Sequence, residues 1–241
     1  MSDNSFTLDG QPVPFKTGQT IMDAALAADI YIPHLCHQPG YQPHGSCRLC
    51  LVEIDGRTVS ACTQPALAGQ IVRSVSEDLQ AERKQLLQLL FIEGNHICPA
   101  CEKSGACKLQ ALAYDVGMLE SGFEQFFPAS RIDASHADFL IDFNRCIACE
   151  LCVRASRDID GKAIFAISGR GGKRQLQINS NDGLLGSSNL SGDDAAAHIC
   201  PVGAILPKHK AFRQPVGQRL YDLQPISQID DVKPQEKAHG K

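Results

Sequence analysis

Eleven cysteines stand in this chain of 241 residues, and they fall into three sets. The first is Cys36, Cys47, Cys50 and Cys62; the second is Cys98, Cys101 and Cys107; the third is Cys146, Cys149, Cys152 and Cys200. Each set contains a C-x2-C pair, a spacing that lets two thiolates bind one centre from a single turn of backbone. A tetrahedral zinc or a cubane cluster takes four ligands. The first and third sets supply four thiols each, whereas the stretch "NHICPACEKSGACKLQ" supplies three. His96, two residues ahead of Cys98, is the only histidine in that segment and is the expected fourth ligand. Its alternative reading is an ordinary polar side chain.

Composition narrows the chemistry. The N-terminus carries no basic stretch followed by an apolar run, and no apolar segment approaches the roughly 18–20 residues of a membrane helix. A cytoplasmic protein without a membrane span is therefore expected, and there dense cysteines point to metal ligation rather than disulfides. A net charge of −4 with no long Lys/Arg run argues against a nucleic-acid partner. With no Trp and 6 % aromatic residues, the core has few large anchors.

The elements that carry the first set read as small and sheet-rich. "SFTLDGQPVPFK" predicts two short strands around Asp9-Gly10, and "LVEIDGRTVSAC" a second pair around Asp55-Gly56. "TIMDAALAADI" predicts a helix capped by Thr20 with Asp23 three residues on, and "QIVRSV" a last strand. The Gly-, Pro- and His-rich "CHQPGYQPHGSCRLC" makes no regular structure but can wrap a cofactor with its N–H groups. His34, just ahead of it, and His37 and His44 within it do not form the two matched Cys/His pairs of a Rieske site, so they read as surface or supporting residues. Residues 77–93 predict a helix with Leu79, Leu86, Leu87, Leu90 and Phe91 on its apolar face and charges opposite. Gly105 lets the chain turn so that Cys107 can join Cys98 and Cys101.

Bacterial ferredoxins carry C-x2-C-x2-C-x3-C-P. Here one C-x2-C-x2-C exists, and Cys200-Pro201 is the remaining cysteine–proline pair, so the third set should close one [4Fe–4S] site. Strands "AIFAIS" and "QLQIN" joined by "GRGGKR", then a short helix "DDAAAHI" capped by Asp193 or Ser191, fill the 47 residues between Cys152 and Cys200. The Gly-rich hairpin tip fits neither phosphate-binding fingerprint and reads as a plain turn. Residues 213–241 read as an extended tail, disordered or laid over a partner.

The spacing Cys36-x10-Cys47-x2-Cys50-x11-Cys62 resembles the [2Fe–2S] module at the start of the large iron–sulfur subunit of respiratory complex I. The same family carries a Cys3His [4Fe–4S] site written H-x3-C-x2-C-x5-C. This chain departs from it, with Gly at position 94 and the histidine at 96. "IDFNRCIACELCVR" with "ICPVGAI" is similar to the single-cluster domain that follows in that family. The resemblance implies an α+β fold in four parts. These are a β-grasp ferredoxin domain over 1–78, a helical Cys3His segment over 79–119, a ferredoxin-like domain over 136–212 and a tail over 213–241.

A chain of this length is most similar to the small diaphorase subunit of NAD-reducing [NiFe]-hydrogenases. That resemblance implies one [2Fe–2S] and two [4Fe–4S] clusters in a relay, with no catalytic residue of its own. FMN, NAD and the Ni–Fe centre are then expected on partners: a flavin- and NAD-binding diaphorase subunit and the small and large hydrogenase subunits. Two other readings stand beside it: a relay subunit of a formate dehydrogenase or another NAD-linked complex, and a zinc-organised scaffold with no redox role.

Overall fold

In the computed structural model, which describes residues 4–229, the first hairpin turns at Asp9 and Gly10. Their φ angles of +50° and +82° are those of a tight two-residue turn that matches strand twist. Strand β1 (Ser5–Leu8) pairs antiparallel with β2 (Gln11–Pro14). Helix α1 (Ile21–Ala27) opens with a capping box: the Asp23 N–H donates to Thr20 Oγ1 at 3.1 Å, and the Thr20 N–H to the Asp23 carboxylate at 3.2 Å. Strands β3 (Leu51–Ile54) and β4 (Arg57–Ser60) turn at Asp55-Gly56 in the same left-handed way. Strand β5 (Ile71–Arg73) then runs parallel to β1 and antiparallel to β3.

The sheet order β2-β1-β5-β3-β4 under one helix is the β-grasp arrangement. Its core gathers Phe6, Leu8, Val13, Ile21, Met22 and Val52, with the Cys50 and Cys62 side chains among them. Each of those larger side chains contributes about 1.5–3 kcal/mol by leaving water. The chain forms two units, residues 4–83 with 224–229 and residues 84–223.

Helix α2 (Glu77–Ile92) buries Leu79, Leu87 and Ile92 and half-buries Leu86, Leu90 and Phe91, as its pattern predicts. One residue breaks that pattern. Arg83, expected among the solvent-facing charges, is 1 % exposed. It lies four residues after Leu79 and four before Leu87, and so falls on the apolar stripe.

In the second unit, α3 (Lys108–Asp115) follows Cys107 directly. Strands β6 (Ile132–Asp133) and β7 (Phe139–Asp142) lead into the third cysteine set. Helix α4 (Leu151–Arg154) passes into a π-helical turn, Ala155–Ile159. The inserted hairpin is β8 (Phe165–Ser168) with β9 (Gln175–Ile178). Helix α5 (Ala195–His198) precedes Cys200, and β10 (Ile205–Pro207) closes a three-stranded antiparallel sheet of order β10-β7-β6. The Ile205–Ile141 register in that sheet brings the arm after Cys200 beside the arm before Cys146. Among the described residues, no helix is long and apolar enough to cross a membrane.

Two local expectations are corrected. Neither Asp193 nor Ser191 caps α5. The cap comes from Asp160, whose carboxylate accepts from the Ala195 and Ala196 N–H groups at 2.8 and 3.0 Å. Ser191 instead accepts from the Asp193 N–H in a local turn, and the Asp194 carboxylate is occupied by Lys162 and the Ser191 N–H. The predicted tail also holds a short helix, α6 (Leu220–Leu223), tied down by the Tyr221 N–H on Gly105 O at 2.8 Å, and Ile226 beyond it is buried. Residues 230–241 of that tail lie outside the described residues.

Because one remote carboxylate satisfies two N–H groups of a four-residue helix, Asp160→Ala should destabilise the protein by about 1–2 kcal/mol. Thermal unfolding against the parent checks this.

Candidate functional site

The first set is drawn together from the loop that ends at β3, which carries Cys36, Cys47 and Cys50, and the turn after β4, which carries Cys62. Cys36, Cys50 and Cys62 are buried to 1 % exposure or less, and Cys47 is half-buried. The Cys47 N–H donates to Cys36 Sγ at 3.5 Å. Thiol contacts run from Cys47 to Cys36, on to Cys62 and then to Cys50. Hydrogen bonds from its neighbours hold Cys36 and Cys50 below the usual thiol range, while Cys47 and Cys62 are pushed above it by the same contacts and by burial. The start of α1 anchors the Cys62 segment: the Ile21 and Met22 N–H groups donate to Gln64 O and Ala61 O at 2.9 and 3.1 Å. Arg48, between Cys47 and Cys50, sits at φ +57°, a left-handed conformation that turns the loop between the two cysteines.

Arg83 completes this site, a role that its charge alone did not suggest. Its guanidinium donates to Leu49 O at 3.1 Å, Leu51 O at 2.6 Å and Ser74 O at 2.9 Å. The first two carbonyls flank Cys50. The position of Arg83 on an apolar stripe is the sequence signal that could have found it.

The second set lines a single concavity, with His96, Cys98, Cys101 and Cys107 on its wall beside Phe91, Gln110 and Arg145. A turn at Cys98–Ala100 and Gly105 at φ +75° fold the three cysteines inward. Burial pushes Cys107 up to about 12, opposed by the Gln110 and Leu109 N–H groups at the start of α3. Burial, with the Arg145 charge, lowers His96 to about 4, so its ring is neutral near pH 7 and keeps a lone pair free for ligation. His96 Nε2 is buried without a hydrogen-bond partner. A buried acceptor of that kind costs about 1–3 kcal/mol unless something binds it.

Gly94 explains how the histidine fits at its displaced position. A Cβ there would lie 2.6 Å from His96 Nε2 and 2.6 Å from Asn144 O. Glycine at 94 and histidine at 96 are therefore sterically linked.

The third set lines one concavity, with Cys146, Cys149, Cys152 and Cys200 on its wall. Ala148 at φ +48° and Glu150 at φ +61° alternate with the cysteines and turn the loop on itself. Burial pushes Cys146 up to about 11 and Cys152 well above the usual range. Arg154, itself buried, donates to Glu150 O and Cys149 O at 3.3 and 3.5 Å. The inserted hairpin is not a mere spacer: Ile167 and Leu176 line the cavity, and Arg174 binds the Glu150 carboxylate. His34 and His37 are buried beside Cys36 rather than set on the surface, and His34 Nδ1 lies 2.7 Å from Ile32 O.

The donor sets suit polynuclear sulfur-ligated centres: clustered buried thiols, which a cation would let ionise, and one unpartnered imidazole nitrogen among three thiols.

Comparison with known proteins finds three families along the chain. Residues 4–77 match a 2Fe-2S iron-sulfur cluster binding domain, and residues 83–121 match the NADH-ubiquinone oxidoreductase-G iron-sulfur binding region. Residues 139–206 match the ferredoxin-like domain of NADH-quinone oxidoreductase subunit 3. The chain is 38 % identical over 221 residues to the gamma subunit of the NAD-reducing hydrogenase HoxS of Cupriavidus necator, covering 91 % of this chain and 94 % of that protein. It is 30 % identical to the mitochondrial NADH-ubiquinone oxidoreductase 78 kDa subunit of Neurospora crassa, over 93 % of this chain but 30 % of that one. It is also similar to a chain in a crystal structure of NAD+-reducing [NiFe]-hydrogenase in the H2-reduced state. That match has a TM-score of 0.92 and 52 % identity, and covers 94 % of this chain and 97 % of the other.

The Gly94 geometry is testable. Gly94→Ala should destabilise the protein by about 1–3 kcal/mol through overpacking and lower the metal retained per chain. Gly172→Ala, with nothing within 4 Å of the added methyl, should change neither. Thermal unfolding and metal analysis read both variants.

Proposed function

This chain belongs to the family of the NAD-reducing hydrogenase gamma subunit, and we propose that it relays electrons between a [NiFe]-hydrogenase module and an FMN- and NAD-binding diaphorase subunit. It is an iron–sulfur electron-transfer subunit of an oxidoreductase complex, with 2Fe-2S and 4Fe-4S binding domains. In our reading Cys36, Cys47, Cys50 and Cys62 hold one [2Fe–2S] cluster. His96, Cys98, Cys101 and Cys107 hold a [4Fe–4S] cluster, and Cys146, Cys149, Cys152 and Cys200 a second. The domain division is 1–78, 79–119 and 136–212, and the assembly is cytoplasmic.

Bound iron–sulfur clusters supply one-electron redox chemistry with little ligand rearrangement. The chain's own residues do the rest. Buried thiols exclude water, the N–H groups of Cys47, Leu109, Gln110 and Ala148 donate to sulfurs, and buried arginines hold the ligand loops. The single observation that carries the reading is the gathering of twelve donors into three constellations, each complete with four: four touching thiols, and two cavities each lined by a full set.

Anaerobically purified protein should be brown, bleach with dithionite and contain roughly ten irons per chain, the sum for one [2Fe–2S] and two [4Fe–4S] clusters. Stoichiometric zinc in their place would overturn the assignment. Cys50→Ser should abolish the [2Fe–2S] EPR signal and interrupt NADH-driven electron flow in the complex. His96→Ala should convert or remove one [4Fe–4S] signal and leave the other; an unaltered spectrum and iron count would assign the fourth ligand elsewhere.

A further inference from the structure

Arg145 stands between two donor sets. Its side chain lines the cavity of His96, Cys98, Cys101 and Cys107, while its backbone leads directly into Cys146. The guanidinium meets the Glu102 carboxylate, reaches Asp142 Oδ2 at 2.8 Å and donates to Gly203 O at 3.4 Å. Glu102 follows Cys101, Asp142 ends the strand before Cys146, and Gly203 lies three residues after Cys200. One side chain thus holds an arm of the second site and both arms of the third.

The two sites are in backbone contact at the same place. The Lys108 N–H, next to Cys107, donates to Pro201 O at 2.9 Å. A Cβ at Gly203 would lie 2.9 Å from Cys101 Sγ, so only glycine lets the Cys200 arm come this close to a ligand of the neighbouring set. The Asn95 N–H, next to His96, donates to Asn144 O at 2.8 Å, two residues before Cys146.

Arg145 and Asp142 are largely buried, with side-chain exposures of 16 % and 7 %, whereas Glu102 is at 29 %. Charges so placed are less screened than surface charges. A fixed positive charge beside a cluster favours its reduced form, which carries one more negative charge, and so raises its potential.

We propose that Arg145 is a positioning residue for the relay: it locks the Cys200–Gly203 arm against Cys101 and holds up the potential of the centre held by His96, Cys98, Cys101 and Cys107, called the second centre below. This rests on the reading of both sets as [4Fe–4S] sites. Redox titration of the anaerobically purified complex, followed by EPR, tests it with three variants.

Arg145→Gln should shift the second centre's midpoint potential downward and leave the [2Fe–2S] centre unmoved. Arg145→Lys, which keeps the charge, should restore most of that shift. Glu102→Gln, at a more exposed site that tolerates the change, should move the potential upward by uncovering the positive charge. That opposite sign also decides the matter if Arg145→Gln loses its cluster. A full iron count with no shift in Arg145→Gln, an equal shift in Arg145→Lys and Arg145→Gln, or no upward shift in Glu102→Gln would overturn the proposal. Absence of both [4Fe–4S] signals from the unsubstituted complex would instead overturn the cluster reading itself.

Discussion

Four soft donors must meet where water is excluded, and the chain has to hold them there although burial raises the cost of ionising several of them. Burial pushes Cys107 and Cys146 up to about 12 and 11, so without a cation these sulfurs keep their protons. A metal centre replaces those protons, and its binding energy then becomes folding energy. This coupling explains how loops with little regular structure can hold a fixed shape. Arg48, Ala148 and Glu150 occupy left-handed conformations that cost non-glycine residues about 1–3 kcal/mol each, and such strain persists only where the surroundings over-determine it. Strand pairing supplies the other half of the constraint. The β3–β4 hairpin spaces Cys50 from Cys62, and the β7–β10 pair brings Cys146 and Cys200 together across 53 intervening residues.

Buried arginine recurs at the ligand loops. Arg83 binds the carbonyls on either side of Cys50, and Arg154 binds those of Cys149 and Glu150. A carbonyl oxygen near thiolate sulfur is repulsive, so a guanidinium that draws carbonyls outward also leaves the opposite, N–H face of the loop for the centre. The planar five-donor fork suits this better than an ammonium, since it reaches two or three carbonyls at once. At the second site Arg145 works through carboxylates as well as a carbonyl, which joins that site to its neighbour.

At the second site the histidine stands two residues later than the resemblance would place it, and the packing around it accommodates that position. The related family writes its histidine four positions ahead of the first cysteine; here glycine holds that position and the ring comes from two residues later. Gly94 leaves the room that the ring fills, Phe91 packs against it at a centroid distance of 5.3 Å, and Asn95 ties the shortened loop to Asn144. Packing of this kind makes the two residues a unit.

The C-x2-C pairs that mark each cysteine set were legible in the chain alone, because that spacing is a local constraint on the backbone. So were the two Asp-Gly hairpins, the Thr20–Asp23 box and the extent of α2, for the same reason: turn chemistry, capping and helical periodicity act within a few residues. Whatever depends on distant partners emerged with the fold. Asp160 displaced the local candidates as the cap of α5 because a carboxylate 35 residues away arrives at the helix start with both oxygens free for it. Arg83 was hidden because charge alone reads as surface, and its burial follows from three carbonyls presented by other elements. The two strands of the inserted hairpin were legible, but not that Ile167 and Leu176 line the third cavity or that Arg174 pairs with Glu150. The contact of Gly203 with Cys101 joins two sets that the sequence separates by about a hundred residues, and no pattern of spacing encodes such a meeting.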